Sequence, residues 1–208
     1  AVALAGCKAT ETPDYNAKPN FVGTVTISSF DGSSDDLLTG GLGKTALQSA
    51  TPPVITNPAS PTAAELRKLA IYTNYRALVD TTAGGGYGLL YGPNVDANGG
   101  VNATEGLVPG VEAVTYLDDG TGKRNITAVL QIPSYFNRSA PCLVAATSSG
   151  SRGPYGAIAT AGEWALKRGC AVVYVDKGTG IGAHDLATNT VNGIDGVRKD
   201  ATAAANTS

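Results

Sequence analysis

The residues best suited to chemistry lie in one short loop, Ser148 to Gly153, of the 208-residue chain. Glycines at positions 150 and 153 allow close approach of the backbone to a ligand, and Ser149 and Ser151 add hydroxyl donors. An acyl-transfer intermediate carries a negative oxygen, which backbone N–H groups near a helix N-terminus stabilise. We therefore take Ser149, Gly150 and Ser151 as candidate oxyanion donors, with a plain helix cap as the alternative.

Arg152, in the same loop, is a candidate for substrate binding. A guanidinium can donate two parallel hydrogen bonds to a carboxylate, so Arg152 is suited to the acid end of a substrate. The alternative is a surface salt bridge, which contributes little.

The other residues that commonly support catalysis are scarce. The single histidine, His184, lies beyond the second of two predicted strands, and the sequence has no G-x-S-x-G turn for a nucleophilic serine. Because His184 precedes any possible nucleophile turn, its place in the chain argues against a role as catalytic base. We interpret His184 as a polar loop residue beside Asp185. Since neither CxxC nor HExxH occurs, the sequence predicts no metal site, and it implies no cofactor.

A glycine pattern follows the second predicted strand. Residues Gly178 to Ala183 match G-x-G-x-x-[GA], which is typical of dinucleotide-binding turns. The residues after it are poor helix formers, and no further strand is predicted before Ser208, so the helix N-terminus that would bind phosphate is missing. We interpret the segment as an active-site or substrate loop.

Two cysteines, Cys142 and Cys170, stand directly before the predicted β-rich runs 143–147 and 171–176. If the strands are parallel neighbours, the two cysteines lie side by side at the starts of the strands, and a disulfide could form between them in an oxidising compartment. The alternative is a pair of small buried hydrophobic residues.

A strand, a loop, a helix and a second strand must position these residues. The apolar run Cys142 to Ala146 predicts a strand buried on both faces. Pro154 begins a helix that Gly169 terminates, and Cys170 to Asp176 predicts the second strand. Such a βαβ unit requires a parallel sheet and a right-handed crossover.

An antiparallel hairpin precedes this unit, because runs 111–117 and 124–132 alternate on either side of a glycine-containing turn. A hairpin that leads into a βαβ unit is how the sheet of the α/β-hydrolase fold begins. The loop after Thr147 then occupies the place of one half of the oxyanion hole. We predict an α/β fold, namely a partial α/β-hydrolase-like sheet with an irregular N-terminal region.

The N-terminal region contributes few regular elements. Phe21 to Phe30 contains one alternating run that predicts a strand. Thr62 and Glu65 have the spacing of a capping box, which predicts a helix over about 62–79. The triple glycine at 84–86 predicts a tight turn, with close approach to a ligand as the alternative.

We divide the chain into three regions. Residues 1–20 are the tail of a signal peptide and a tether, 21–100 are the irregular N-terminal region, and 101–208 are the first half of an α/β-hydrolase-like core that stops before the nucleophile.

The charge of the chain is nearly balanced, with 15 Lys and Arg residues against 17 Asp and Glu residues. The chain therefore has no strong positive electrostatic field that would favour binding of nucleic acid.

The first residues point to export. The chain has no methionine, and small apolar residues lead into Cys7. The tetrapeptide Leu4-Ala5-Gly6-Cys7 resembles a bacterial lipobox, in which the cysteine receives a lipid; an ordinary signal cleaved nearby or a chance apolar start is the alternative. We expect a secreted or lipid-anchored protein outside the bacterial cytoplasm. Membrane attachment would be through Cys7 alone, since no other run approaches the length of a membrane span.

The segment from Pro141 to Gly156, PCLVAATSSGSRGPYG, continues through GEW at 162–164 and KRGCAV at 167–172 to DKG at 176–178, and it resembles the D-3-hydroxybutyrate oligomer hydrolase family. AGGGYG at 83–88, followed by LYGP, is similar to that family's upstream segment. The resemblance implies an exported esterase, longer than this chain, that cleaves short 3-hydroxybutyrate oligomers into monomers during polyhydroxybutyrate degradation. The substrate is then a small molecule.

The same resemblance places the nucleophile, acid and histidine of the triad after Ser208. We therefore expect a fragment that is inactive by itself. One alternative is a non-catalytic surface lipoprotein whose glycine-rich loops bind a ligand. Another is a truncated product that does not fold, because its last parallel strand, 170–176, would be an exposed sheet edge.

Overall fold

The computed structural model describes residues 14–121, 126–148, 152–178, 184–192 and 198–202. Its main sheet has five strands: β1 (Thr26–Phe30), β2 (Gly110–Leu117), β3 (Ile126–Pro133), β4 (Leu143–Thr147) and β5 (Ala171–Val175). The strand order is β1-β2-β3-β5-β4. β4 and β5 are parallel, and the other neighbours are antiparallel. The mixed α/β class, the hairpin and the parallel pair are confirmed.

The described residues include three α-helices, α1 (Gly43–Gln48), α2 (Ala63–Leu78) and α3 (Glu163–Leu166). The predicted capping box begins α2: Thr62 Oγ1 accepts from the Glu65 backbone N–H at 3.2 Å, and Glu65 Oε2 accepts from the Thr62 N–H at 2.9 Å. The connection from β4 to β5 is less regular than predicted. It passes through a 3₁₀ turn (Pro154–Ala157) and a π-helical turn (Ile158–Gly162) before α3.

A second, smaller sheet follows the main one. Its strands, β6 (His184–Asp185), β7 (Thr190–Asn192) and β8 (Arg198–Asp200), pair antiparallel in that order. The expectation that no further strand precedes Ser208 is therefore wrong. Strands of two or three mostly polar residues are too short to show an alternating pattern.

The core lies on one face of the main sheet. Helix α2 and the connection between β4 and β5 cover this face, with Tyr75, Ile158 and Leu166 among the fully buried side chains. From the sheet, Val129, Val172 and Tyr174 join the same cluster. Burial of these side chains fixes how the β4–β5 connection sits on the sheet.

The prediction that the strand before Thr147 is buried on both faces is wrong. β4 lies at the edge of the sheet, so Leu143 is 65% exposed and Ala146 is the strand's buried residue. The strand expected at the edge, β5, lies instead between β3 and β4. The error arises because an apolar run shows that burial is required and does not show which neighbour provides it.

Candidate active-site loop

The loop singled out by the sequence leaves the carboxyl end of β4. Ser149, Gly150 and Ser151 lie outside the described residues, so the site is described from the residues on either side. Ser148 is fully buried, and its N–H donates to the Val175 carbonyl at 2.8 Å. The loop therefore starts between the carboxyl ends of two parallel strands, which is where open α/β sheets bind ligands.

Arg152 stands at the far end of the loop and is exposed. Among the described residues, no carboxylate forms an ion pair with its guanidinium. Its backbone carbonyl accepts a hydrogen bond from Asn74 Nδ2 at 3.0 Å, and the same amide donates to the Ala70 carbonyl at 2.9 Å. Helix α2 thus holds the backbone of Arg152 while the side chain faces solvent.

The start of the following turn is closely packed against the loop. Gly153 has a φ of +68°, in the region that favours glycine, and Pro154 begins the 3₁₀ turn. At Gly156, a Cβ atom would lie 2.6 Å from Ser148 Oγ and 3.2 Å from Arg152 Cβ. Glycine at this position therefore lets both ends of the loop lie against one turn.

A buried network of polar side chains holds the same turn against the main sheet. Tyr155 donates from its hydroxyl to Glu112 Oε1 at 2.8 Å. Arg67, from α2, donates to both oxygens of Glu112, through Nε at 2.8 Å and Nη2 at 3.0 Å. Burial, and then the adjacent Glu112 carboxylate, raises the pKa of the Tyr155 phenol well above 10. Tyr155 therefore stays protonated and acts as a fixed donor.

The network extends across the sheet. Gln131 Nε2 donates to Glu112 Oε2 at 2.8 Å, and the Tyr174 hydroxyl donates to Gln131 Oε1 at 2.9 Å. Burial lowers the pKa of the Arg67 guanidinium, but Glu112, Tyr155 and Asp35 together outweigh that effect, and the pKa is raised. An ion pair removed from water is stable only when its hydrogen bonds are satisfied, as they are here. The turn after the loop is thereby held to α2 and to three strands.

A second buried carboxylate, Glu163, fixes residues 83–93, which we call the glycine-rich segment, to α3. Its Oε1 accepts from the Gly92 N–H at 3.2 Å and from Lys167 Nζ at 2.7 Å, and Tyr75 donates its hydroxyl to Oε2. Earlier in this segment, residues 83–85 form a 3₁₀ turn that ends at Gly86 with a φ of +98°. The predicted tight turn is confirmed.

An open cleft of about 280 Å³ lies between the glycine-rich segment and α3. The guanidinium of Arg168 stacks 4.5 Å from the centre of the Trp164 ring and donates to the Ala97 carbonyl at 2.9 Å. These residues precede the amino end of β5, whereas the loop at 148–153 follows the carboxyl end of β4. The cleft is therefore at the opposite end of the parallel strands from the loop.

His184 lies in β6, is exposed, and has Nε2 at 2.9 Å from Asn189 Oδ1. Residues 179–183 of the glycine pattern lie outside the described residues. Within the described ranges, no group of three or more His, Cys, Asp or Glu side chains could hold a metal ion. No helix in the same ranges is long and apolar enough to cross a bilayer.

Cys142 and Cys170 form a disulfide in the structure, with their Cα atoms 4.8 Å apart. The pairing follows from the register, because Leu143 lies opposite Ala171 and each cysteine immediately precedes one of these residues. Cys7 lies outside the described residues.

Asn74 and Glu112 are the site residues that sequence reasoning missed. Asn74 lies beside Tyr75 on the buried side of α2, and a polar residue within a buried helix face indicates a specific partner. Glu112 lies within an alternating strand on its buried side, which is a similar signal. In both cases the sequence could indicate that a partner exists, but not that the partner belongs to the loop or to the turn that follows it.

Comparisons with known proteins connect this geometry to a family. The model of the family described as 3HB-oligomer hydrolase matches residues 2–208. Three of the similar proteins are named D-(-)-3-hydroxybutyrate oligomer hydrolase. They are 64% identical over 91% of this chain in Cupriavidus necator, 62% over 91% in Albidiferax ferrireducens and 59% over 98% in Cupriavidus pinatubonensis. The chain spans 26%, 27% and 29% of these relatives, respectively. No solved structure matches.

Proposed function

Because the chain belongs to the 3HB-oligomer hydrolase family, we propose that it forms part of a carboxylic-ester hydrolase that cleaves D-3-hydroxybutyrate oligomers to monomers. The names of its relatives support the substrate class. Since the chain spans less than a third of their length, we assign the nucleophile, acid and histidine to the part of the protein outside these 208 residues. By itself the chain would be inactive.

The reaction is serine acyl transfer on an α/β-hydrolase-like sheet. A serine hydroxyl attacks the ester carbonyl and gives up its proton to a base, and the carbonyl oxygen becomes an oxyanion. Collapse of this intermediate breaks the ester C–O bond, and the base returns its proton to the leaving oxygen, which releases the alcohol and leaves a 3-hydroxybutyryl-enzyme. Water then hydrolyses the acyl-enzyme to the acid. No cofactor takes part in these steps.

The observation that supports this role is the anchoring of the loop at both ends. Ser148 is tied to β5, and Arg152 is tied to α2 through Asn74. Donors that are already in place when charge develops are worth more than donors that must reorganise. We assign the backbone N–H groups of Gly150 and Ser151 as oxyanion donors, each contributing about 100-fold to 1000-fold in kcat.

Arg152 binds the free carboxylate of the substrate in this proposal. In the full-length enzyme, Arg152→Ala should raise KM for the D-3-hydroxybutyrate dimer by about 10-fold to 100-fold, since a hydrogen bond to a charged group is worth about 1.5–3 kcal/mol. KM for the methyl ester of the dimer, which lacks the charge, should change little.

Arg138→Ala is the matched control, because Arg138 is also an exposed arginine in a loop of the same chain. It should leave both KM values unchanged. Equal increases in KM for the dimer and for its methyl ester in the Arg152→Ala variant would contradict the assignment of Arg152. The esterase proposal would still hold if this variant hydrolyses both substrates. Binding of the dimer without turnover by the full-length protein would contradict ester hydrolysis itself.

We also propose export, with a lipid on Cys7 as the anchor. The disulfide between Cys142 and Cys170 supports an oxidising compartment, where such bonds persist. The bond closes a segment of 28 residues, so Cys170→Ser should lower the free energy of unfolding by about 3.5 kcal/mol. Chemical denaturation with and without reductant measures this. An equal effect of reductant on the Cys170→Ser variant would show that the disulfide is not the cause.

A further inference from the structure

Lys177, the residue before the glycine pattern at 178–183, has an unusual backbone conformation. Its φ is +69°, in the left-handed region that glycine adopts freely and that other residues rarely occupy. Among the described residues, Asn189 is the one other non-glycine residue with a positive φ, and asparagine tolerates this region better than lysine does. Lys177 therefore carries backbone strain, which persists only where the surrounding structure imposes it and which clusters at ligand sites.

The buried side chain of Asp176 holds Lys177 in this conformation. Asp176 is fully buried, and its Oδ1 accepts from the Gly178 N–H at 2.8 Å and from the Thr127 N–H of β3 at 2.9 Å. The Asp176 N–H donates in turn to the Thr127 carbonyl at 3.1 Å. Lys177 lies at the centre of the turn that joins the Asp176 side chain to Gly178. The main sheet thus fixes the backbone on both sides of the strained residue.

The strained turn lies at the same edge of the sheet as the loop at 148–153. β5 ends at Val175, whose carbonyl accepts from the N–H of Ser148, the first residue after β4. Lys177 and the loop therefore leave neighbouring parallel strands at their carboxyl ends, where open α/β sheets bind ligands. Because the backbone of Lys177 is fixed, its side chain starts from a defined position beside the loop.

Two cations, Lys177 and Arg152, therefore flank the loop. Both are exposed, and within the described ranges neither forms an ion pair with a carboxylate. A Cβ atom at Gly156 would lie 2.6 Å from Ser148 Oγ and 3.2 Å from Arg152 Cβ, so Arg152 is also close to the start of the loop. Two such cations at one edge of a sheet raise the local potential and favour an anionic ligand.

We propose that Lys177 is a substrate-binding residue that, together with Arg152, binds the free carboxylate of the 3-hydroxybutyrate oligomer. An ionised carboxylate can accept about four hydrogen bonds, so a bidentate arginine leaves room for a lysine. The lysine ammonium is a compact donor on a flexible four-carbon stem, which lets it reach the same anion from the end of β5. The inference rests on the proposed function, from which it takes the substrate.

Strain that serves ligand binding has a signature that a structural role lacks. Glycine at position 177 would relieve the strain, so the fold should be at least as stable, while the binding group would be lost. A lysine that instead formed a structural ion pair with another part of the protein would show the opposite behaviour, because its removal would destabilise the fold.

The test measures KM and Tm for three substitutions in the full-length enzyme. Lys177→Gly removes the charge and the strain, Lys177→Gln removes the charge alone, and Lys177→Arg keeps both. The first two should raise KM for the D-3-hydroxybutyrate dimer by about 10-fold to 100-fold, which is the range for a hydrogen bond to a charged group. KM for the methyl ester of the dimer should change little, and Lys177→Arg should restore dimer binding. Lys177→Gly should have a higher Tm than Lys177→Gln.

Asn189→Gly is the matched control, because it relieves the same kind of strain in the turn between β6 and β7. It should leave both KM values unchanged. An unchanged KM for the dimer in Lys177→Gln would overturn the proposal while leaving ester hydrolysis in place. Equal increases in KM on both substrates, with a lower Tm for Lys177→Gly and Lys177→Gln than for the unmodified enzyme, would overturn it in favour of a structural ion pair. Absence of turnover by the unmodified enzyme would contradict the proposed function instead, and the dissociation constant of the dimer from calorimetry would then test Lys177 in place of KM.

Discussion

Loss of the Arg67 guanidinium should be among the most damaging single changes in the chain. Arg67→Met keeps much of the side-chain volume but removes both hydrogen bonds to Glu112 and the ion pair to Asp35 at 2.9 Å. It also removes the contact of the guanidinium with the Phe30 ring, whose centre is 4.1 Å away. Glu112, which is 2% exposed, is then left as a buried carboxylate without its cation.

The expected cost follows from that isolated charge. Removing one partner of a buried ion pair destabilises a protein by about 3–5 kcal/mol. For a chain of this length, this corresponds to a fall of about 10 °C in Tm. The double variant Arg67→Met/Glu112→Gln should recover part of the loss, because a neutral amide is much less costly to bury than an uncompensated carboxylate.

Urea denaturation of the two single variants and the double variant measures this as a double-mutant cycle. The coupling energy should be at least about 1.5 kcal/mol. Lys68→Met, on the next residue of α2, is the control, because it removes a neighbouring cation from outside the network. Additive losses at positions 67 and 112, or equal effects of the Arg67 and Lys68 substitutions, would refute the argument that an isolated Glu112 charge sets the cost.

Two other perturbations test local parts of the structure. Gly156→Ala should lower the free energy of unfolding by about 1–3 kcal/mol, since its Cβ would lie 2.6 Å from Ser148 Oγ, whereas Gly84→Ala, with no atom within 4 Å of the added Cβ, should be nearly neutral. Equal effects in thermal melts would contradict the packing argument. Hydrogen bonds from the backbone N–H groups of Thr62 and Thr56 hold the pKa of Glu65 at about 2, against 4.5 ordinarily. This lowered folded-state pKa stabilises the protein above pH 4.5 and is lost as pH falls toward about 2, so Glu65→Gln should reduce the slope of stability against pH in that window. An unchanged slope would show that the capping box does not set it.

Much of the local structure could be predicted because its causes are local. The capping box at Thr62 and Glu65 begins α2, and the turn after Leu117 joins the two strands of a hairpin. Cysteines that each precede a strand are level in a parallel pair, and the structure joins them. These features depend on residues within a few positions of one another or on strand register.

The burial of β4 and the partners of Asn74 could not be predicted in this way. An apolar run states that a strand must be covered, but the order of strands in the sheet decides which side is covered. Asn74 and Arg152 are 78 residues apart in sequence, and they meet because α2 packs across the turn that follows the loop. Glu112 and Tyr155 are 43 residues apart and meet for the same reason.

By itself, the sequence determined the family resemblance, the alternation of β2 and β3 and the loop between β4 and the turn at Pro154, because each is a property of contiguous residues. Only the tertiary structure decided that Arg67 and Glu112 hold that turn and that β4 lies at the edge of the described sheet. The physical reason is that buried charges, sheet edges and sheet faces acquire their partners through packing between distant segments, and that packing is not encoded in the spacing of residues within any one of them.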